Sequence, residues 1–236
     1  GCIRSGPTPD GGGQPSGVGD KVTAASASRH RQSYHGDPRS HKGHAQSDRG
    51  DGRVADFVLN LRWSDVPKKV RPQVKLALLD VLGATLAGSR TRAGKIVAEL
   101  AAVHWRGDEA SILLSGRTAS PVGAALANGV LANALDIDDG YRPIKGHPGA
   151  VVFPAALAAA EAASVRGEEF LTALLVGYEV AIRAGLAWHA TYREYHGSGA
   201  WGAMGAAAAA GRLLNLNRRQ LMHALGIAEY HAPVAP

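Results

Sequence analysis

The sequence predicts an all-α protein: one multi-helix domain preceded by an irregular tail. Three observations carry this. Hydrophobic residues make up 45% of the chain but aromatic residues only 6%, so the core must be built from Ala, Leu and Val, which suits helices at close range better than sheets padded with rings. From Val54 onward, apolar residues recur every three or four positions. Helix-start residues, Ser or Asn followed by Pro or a polar first turn, stand where several periodic stretches begin.

The chain divides into a tail, residues 1–52, and a helical domain, residues 53–236. The tail is rich in Gly, Ser, Pro, Arg and His and has only scattered apolar residues. It cannot bury enough surface to offset the entropy of ordering, so disorder is expected. His30, His35, His41 and His44 are too irregularly spaced to read as a metal tract.

Order is expected to start near Val54, with Val54, Phe57, Val58 and Leu61 on one face. A second helix is expected from Ser64 as N-cap and Pro67 in the first turn. It carries Val70, Val74, Ala77, Leu78 and Val81 inward, is bent or restarted by Pro72, and stops at Gly88. "AGKIVAELAAVHW" gives a third helix and "ASILLSG" a short extended run. Ser120 and Pro121 open a fourth helix that runs into Asp136. "AVVFPAALAAAEAASVRG" is helical despite Pro154. "EEFLTALLVGYEVAIRAGLAWH", "GAWGAMGAAAAAGRLLNL" and a helix starting after Asn217 complete a set of about eight. The Gly/Ala-rich helix has polar flanks within about thirteen residues, too short to span a bilayer, and reads as a tightly packed core helix.

Composition bounds the function. The net charge is +6 with a pI near 9.7, which suits acidic small molecules as well as nucleic acid. The tail lacks the aromatic interleaving of a nucleic-acid binder and mixes acids with bases, so no nucleic-acid partner is expected. Cys2 is the only cysteine, which excludes an internal disulfide framework. No run of eighteen apolar residues and no apolar signal core occur, so neither membrane partner nor export is expected and the cytoplasm is the default. The chain opens on Gly1 and its only methionines are Met204 and Met222; a piece of a longer protein is expected.

The chemistry concentrates in "DIDDGYRPIKGHPG", residues 136–149. It holds three aspartates, a tyrosine, an arginine, a lysine and a histidine among glycines and prolines. His147 precedes Pro148, which favours an extended backbone before a helix start. The positive end of that helix disfavours imidazolium, so the ring is poised as a neutral proton acceptor. Carboxylates and imidazole also suit a metal, but the spacing does not match the D-x-D-x-D-G calcium loop, and no metal is expected. Asp138 reads as a loop-capping, solvated residue, and His104, His189 and His223 as structural.

Three stretches resemble the MmgE/PrpD family over about residues 54–236: "DVPKKVRPQVKLALLDVLGATLAG", "ALANGVLANALDIDDGYRPIKGHPGAVVFPAALAAAE" and "YHGSGAWGAMGAAAAAGRLLNLNRRQLMHALGIAEYHAP". The resemblance implies a large all-α domain, followed in the family by a smaller α+β lid domain and an active-site lysine that this chain stops short of. It implies removal of a proton or a carboxyl group beside a carboxylate, without metal or organic cofactor. Dehydration, as in 2-methylcitrate dehydratase, is expected first, then decarboxylation or epimerisation.

By the same resemblance His147, His196 and Asp136 are the catalytic candidates. The spacing from Asp136 to His147 is one residue longer than in the family's best-known decarboxylase; Tyr141, Arg142 and Lys145, which lie between the two, are substrate-binding candidates. Gly197 and Ser198, at the head of the small-residue helix, suit an anion at a helix N-terminus. His231 in "EYHAP" is a further binding candidate. The implied partners are a small carboxylic acid and a second copy of the chain. The competing reading is a helical dimerisation or scaffold piece without activity of its own.

Overall fold

The computed structural model describes residues 44–192 and 197–233, all within a unit spanning Lys42–Pro236. Eight helices are described: α1 His44–Asn60, α2 Arg71–Gly88, α3 Arg92–His104, α4 Pro121–Asn133, α5 Gly149–Ala162, α6 Glu168–Thr191, α7 Ser198–Leu213 and α8 Arg218–Tyr230. One antiparallel hairpin, β1 Ala110–Ile112 with β2 Arg117–Ala119, is the only sheet among the described residues. The all-α reading holds, and the extended run expected at "ASILLSG" is β1 and its turn.

Two expected helix starts move. The first helix begins at His44, ahead of Val54. Ser64 does not cap α2: it sits in a 3-10 turn, Trp63–Asp65, and its hydroxyl goes to Asp65. Pro72 is the reason. It has no N–H to give and its ring would collide with the carbonyl four residues back, so the helix can start only at Arg71, with Pro72 in its first turn. The other starts stand as read. Ser120 accepts from Gly123 N–H with Pro121 next, and Asn217 forms a reciprocal capping box with Gln220.

α6 is the central helix, packed on α5 and α7. By length and composition it is apolar enough to cross a membrane, although Glu179 and Arg183 interrupt it, so no unbroken run of eighteen apolar residues occurs there. Here Leu174, Val176, Val180 and Ala181 turn its middle into the core. α6 and α7 approach closely because glycines face each other. A Cβ on Gly205 would run into the Gly177 carbonyl and Ala181. Trp201 and Phe153, fully buried, fill the space at the α5–α7 end of this core. The hairpin is tied to α4 by Asn128, a buried amide that accepts from Leu113 N–H and donates to the Ser111 carbonyl, so no polar group there is left unpaired.

Candidate active site

The loop 136–149 is held in place from three sides. α4 ends at Asn133, and Asp136 turns the chain with a left-handed backbone, φ 54°, its N–H bonded to the Asn133 carbonyl; aspartate tolerates that conformation better than most residues. Tyr141 N–H bonds to the Gly146 carbonyl at 2.9 Å, closing a 3-10 turn over Arg142–Ile144. Ile144 plugs this turn into the core against α6 and α7. His189, at the end of α6, lies with Nε2 2.9 Å from the Ile144 carbonyl; a carbonyl only accepts, so the ring donates.

His147 is fixed at both ends. Its backbone N–H donates to Ser198 Oγ at 2.8 Å, the first residue of α7. Gly146 makes this approach possible, since a Cβ there would strike Ser198 and Trp201. The ring's Nδ1 is 3.0 Å from the Asp138 carbonyl, and its Nε2 is 3.3 Å from Asp136 Oδ1. A carbonyl cannot donate, so Nδ1 carries hydrogen and the neutral ring's lone pair lies on Nε2. That nitrogen and a carboxylate side chain 79% exposed can share one proton at the wall of an open cavity.

The cavity measures about 1080 Å³ and is lined by α4, the loop, α5 and the head of α7. Asp136, Tyr141, Arg142, Lys145, His147 and Ser198 all line it. Ser198 and Gly199 bring the α7 N-terminus to the cavity, and its N-cap residue, Gly197, makes no side-chain capping bond; the positive end of a helix favours an anion. Gly197 is the N-cap residue and does not line the cavity. His231 is not brought in. It is exposed at the end of α8, edge-on to Tyr230. His196 lies outside the described residues.

Two residues of the loop do more than the sequence suggested. Asp138 is not a solvated cap: its side chain is fully buried, with Oδ1 3.6 Å from His147 Nδ1 and 3.4 Å from Asn133 Nδ2. Burial pushes its carboxyl above the usual range, against the opposing pull of His147. Asp139 accepts the Gly149 N–H at 2.8 Å, at the start of α5. Its carboxyl is pushed up to about 6, first by burial and further by Asp138 and Asp80, while the Tyr178 hydroxyl and Gly149 N–H pull it back. A Cβ on Gly149 would collide with Asp139 and Tyr178. The spacing D-x-D-D signals several carboxylates, but not which of them turn inward.

Asp136, Asp138 and His147 each place a ligand atom within 4.8 Å of the others. They do not fit one ion well. Asp136 faces Nε2 and Asp138 faces Nδ1, and the two ring nitrogens point in diverging directions, so a cation on one nitrogen is out of line for the other carboxylate.

Comparison with known proteins matches residues 52–233 to the MmgE/PrpD N-terminal domain. Cis-aconitate decarboxylase-like protein oryM of Aspergillus oryzae is 32% identical over 74% of this chain and 38% of its own length. Cis-aconitate decarboxylase of Aspergillus terreus is 26% identical over 74% of this chain and 37% of its own. The Homo sapiens cis-aconitate decarboxylase is 30% identical over 75% of this chain and 38% of its own. The chain thus spans about two fifths of the length of these relatives.

Proposed function

The chain belongs to the MmgE/PrpD family, and from that premise we propose that it supplies the helical wall of a lyase that moves a proton beside a carboxylate of a small polycarboxylic acid. The observation that carries this reading is the orientation of His147: Nδ1 committed to a backbone carbonyl, Nε2 turned toward Asp136 on the cavity wall. Such a nitrogen takes a proton from carbon or returns one to it. Arg142, Lys145 and the N-terminal head of α7 border the same space and suit two or more substrate carboxylates.

The residues serve each lyase reaction through one step. In decarboxylation, carbon dioxide departs, its bonding pair stays on carbon, and the proton shared by His147 and Asp136 quenches it. In dehydration, the imidazole removes the carbon-bound proton and the hydroxyl leaves as water with a proton from a second donor. Sequence alone put dehydration first. The names of the relatives favour decarboxylation, with cis-aconitate as the substrate to test first. His147→Ala in the whole enzyme should lose about 10²–10⁴-fold in kcat, the range for general acid–base catalysis, with melting temperature unchanged. Normal turnover of cis-aconitate by that variant would remove His147 from the mechanism.

A further inference from the structure

Every aspartate near His147 is a candidate for orienting it, and the geometry separates them. Asp136 lies on the Nε2 side, mostly exposed, in the space a substrate would enter. Asp139 is directed away, to Gly149 N–H and Tyr178. Asp138 alone meets the ring from behind. Its carbonyl stands 3.0 Å and its Oδ1 3.6 Å from Nδ1, with the side chain fully out of solvent.

We propose that Asp138 is a positioning residue, whose main-chain carbonyl and buried carboxyl together hold His147 in the Nδ1–H tautomer and whose carboxyl offsets the ring's charge whenever Nε2 is protonated. This rests on the reading of His147 as the proton-transfer residue and adds to it how the ring is kept competent. A buried carboxyl costs folding free energy unless something compensates. Asn133 occupies Oδ1, while Oδ2 has no hydrogen-bond partner among the described residues. A group that only filled space would serve as well without a charge. The charged groups around the ring are Asp136 in front and Asp138 behind, with Arg142 and Lys145 lining the cavity from the loop. Of these, Asp138 alone is shielded from solvent, so its field on the ring is the least screened.

The test is Asp138→Asn, read two ways. An amide N–H there competes for Nδ1 and pushes the hydrogen to Nε2, the wrong side. In this chain labelled with ¹⁵N-histidine, the His147 signals should report Nδ1–H in the wild type and a mixture of tautomers in the variant. In the whole enzyme, kcat with cis-aconitate should fall by between about 10-fold and 10⁴-fold, the upper end being the cost of complete tautomer reversal in a Ser-His-Asp triad, with KM little changed. Asp138→Glu, which restores a carboxylate, should recover part of the rate. A variant with wild-type tautomer and rate overturns the proposal. The nitrogen spectrum does not depend on turnover. A shifted tautomer with normal turnover would therefore sink the catalytic reading of His147 while leaving the positioning by Asp138 intact.

Discussion

Asp139 makes the start of α5 sensitive to pH. Its carboxyl is pushed from an ordinary 3.8 up to about 6 by burial, so the folded chain holds this proton more tightly than the unfolded chain does. The resulting stabilisation is complete below about 3.8 and is lost as pH rises through about 6. The full shift corresponds to about 3 kcal/mol, an upper bound. Asp139→Asn keeps an oxygen for the Gly149 N–H but does not titrate. The difference in melting temperature between wild type and variant should therefore move in the variant's favour from pH 4 to pH 7, and a constant difference would show that Asp139 does not titrate as stated. A second expectation concerns metal. Because the two carboxylates face opposite ring nitrogens, dialysing the whole enzyme against a chelator should leave kcat intact; loss of activity restored by a divalent ion would make the cluster a metal centre. At this scale His147, Asp136, Tyr141, Arg142 and Lys145 could be picked from residue type and motif. The inward turn of Asp138 could not, because it follows from the left-handed backbone at Asp136 and the plug formed by Ile144, neither of which has a period to detect.

The helices were legible where a cap set the boundary by local chemistry, as at Ser120 and Asn217, but not at α2, where Ser64 reads as the cap and Pro72 puts the start at Arg71 instead. They were less legible where both sides of a helix carry apolar residues. In α2, Val74 and Val81 are buried as their spacing suggests, yet Leu76, Leu79 and Leu86 are exposed, so periodicity alone gives no unique face. The α6–α7 crossing shows what the small-residue pattern is for. Gly205 presses on the Gly177 carbonyl, and α7 carries Ser198 to the backbone of His147. Gly205→Val should force the helices apart and cost about 1–3 kcal/mol, as overpacking usually does, and should also lower activity by shifting Ser198. Gly226, which has open space around it, offers the matched control: Gly226→Ala should not lower the melting temperature, since alanine favours a helix interior by up to about 1 kcal/mol. Equal melting temperatures for wild type and Gly205→Val would show that the crossing is not tightly packed.

For the whole molecule, charge is the property that sequence and structure link most directly. The chain carries a net +6, and the cavity gathers Arg142, Lys145 and the positive end of α7 on one side. A polycarboxylate approaching this wall is attracted over roughly a Debye length, about 10 Å at 0.1 M salt and about 3 Å at 1 M. If the substrate is a polyanion, as proposed, kcat/KM of the whole enzyme should fall severalfold between those salt concentrations, mainly through KM. Arg142→Gln should raise KM and flatten that dependence, since Arg142 is exposed at the cavity and contributes field rather than support to the fold. The second copy implied by the family resemblance enters the same experiment as a control: if the active form is a homodimer, sedimentation should give one dimeric species at both salt concentrations, so that the change in KM reflects the field at the cavity and not dissociation. A kcat/KM independent of ionic strength, with the dimer intact, would mean that the cations at 142 and 145 do not face the substrate, and the carboxylate reading of this cavity would fall with them.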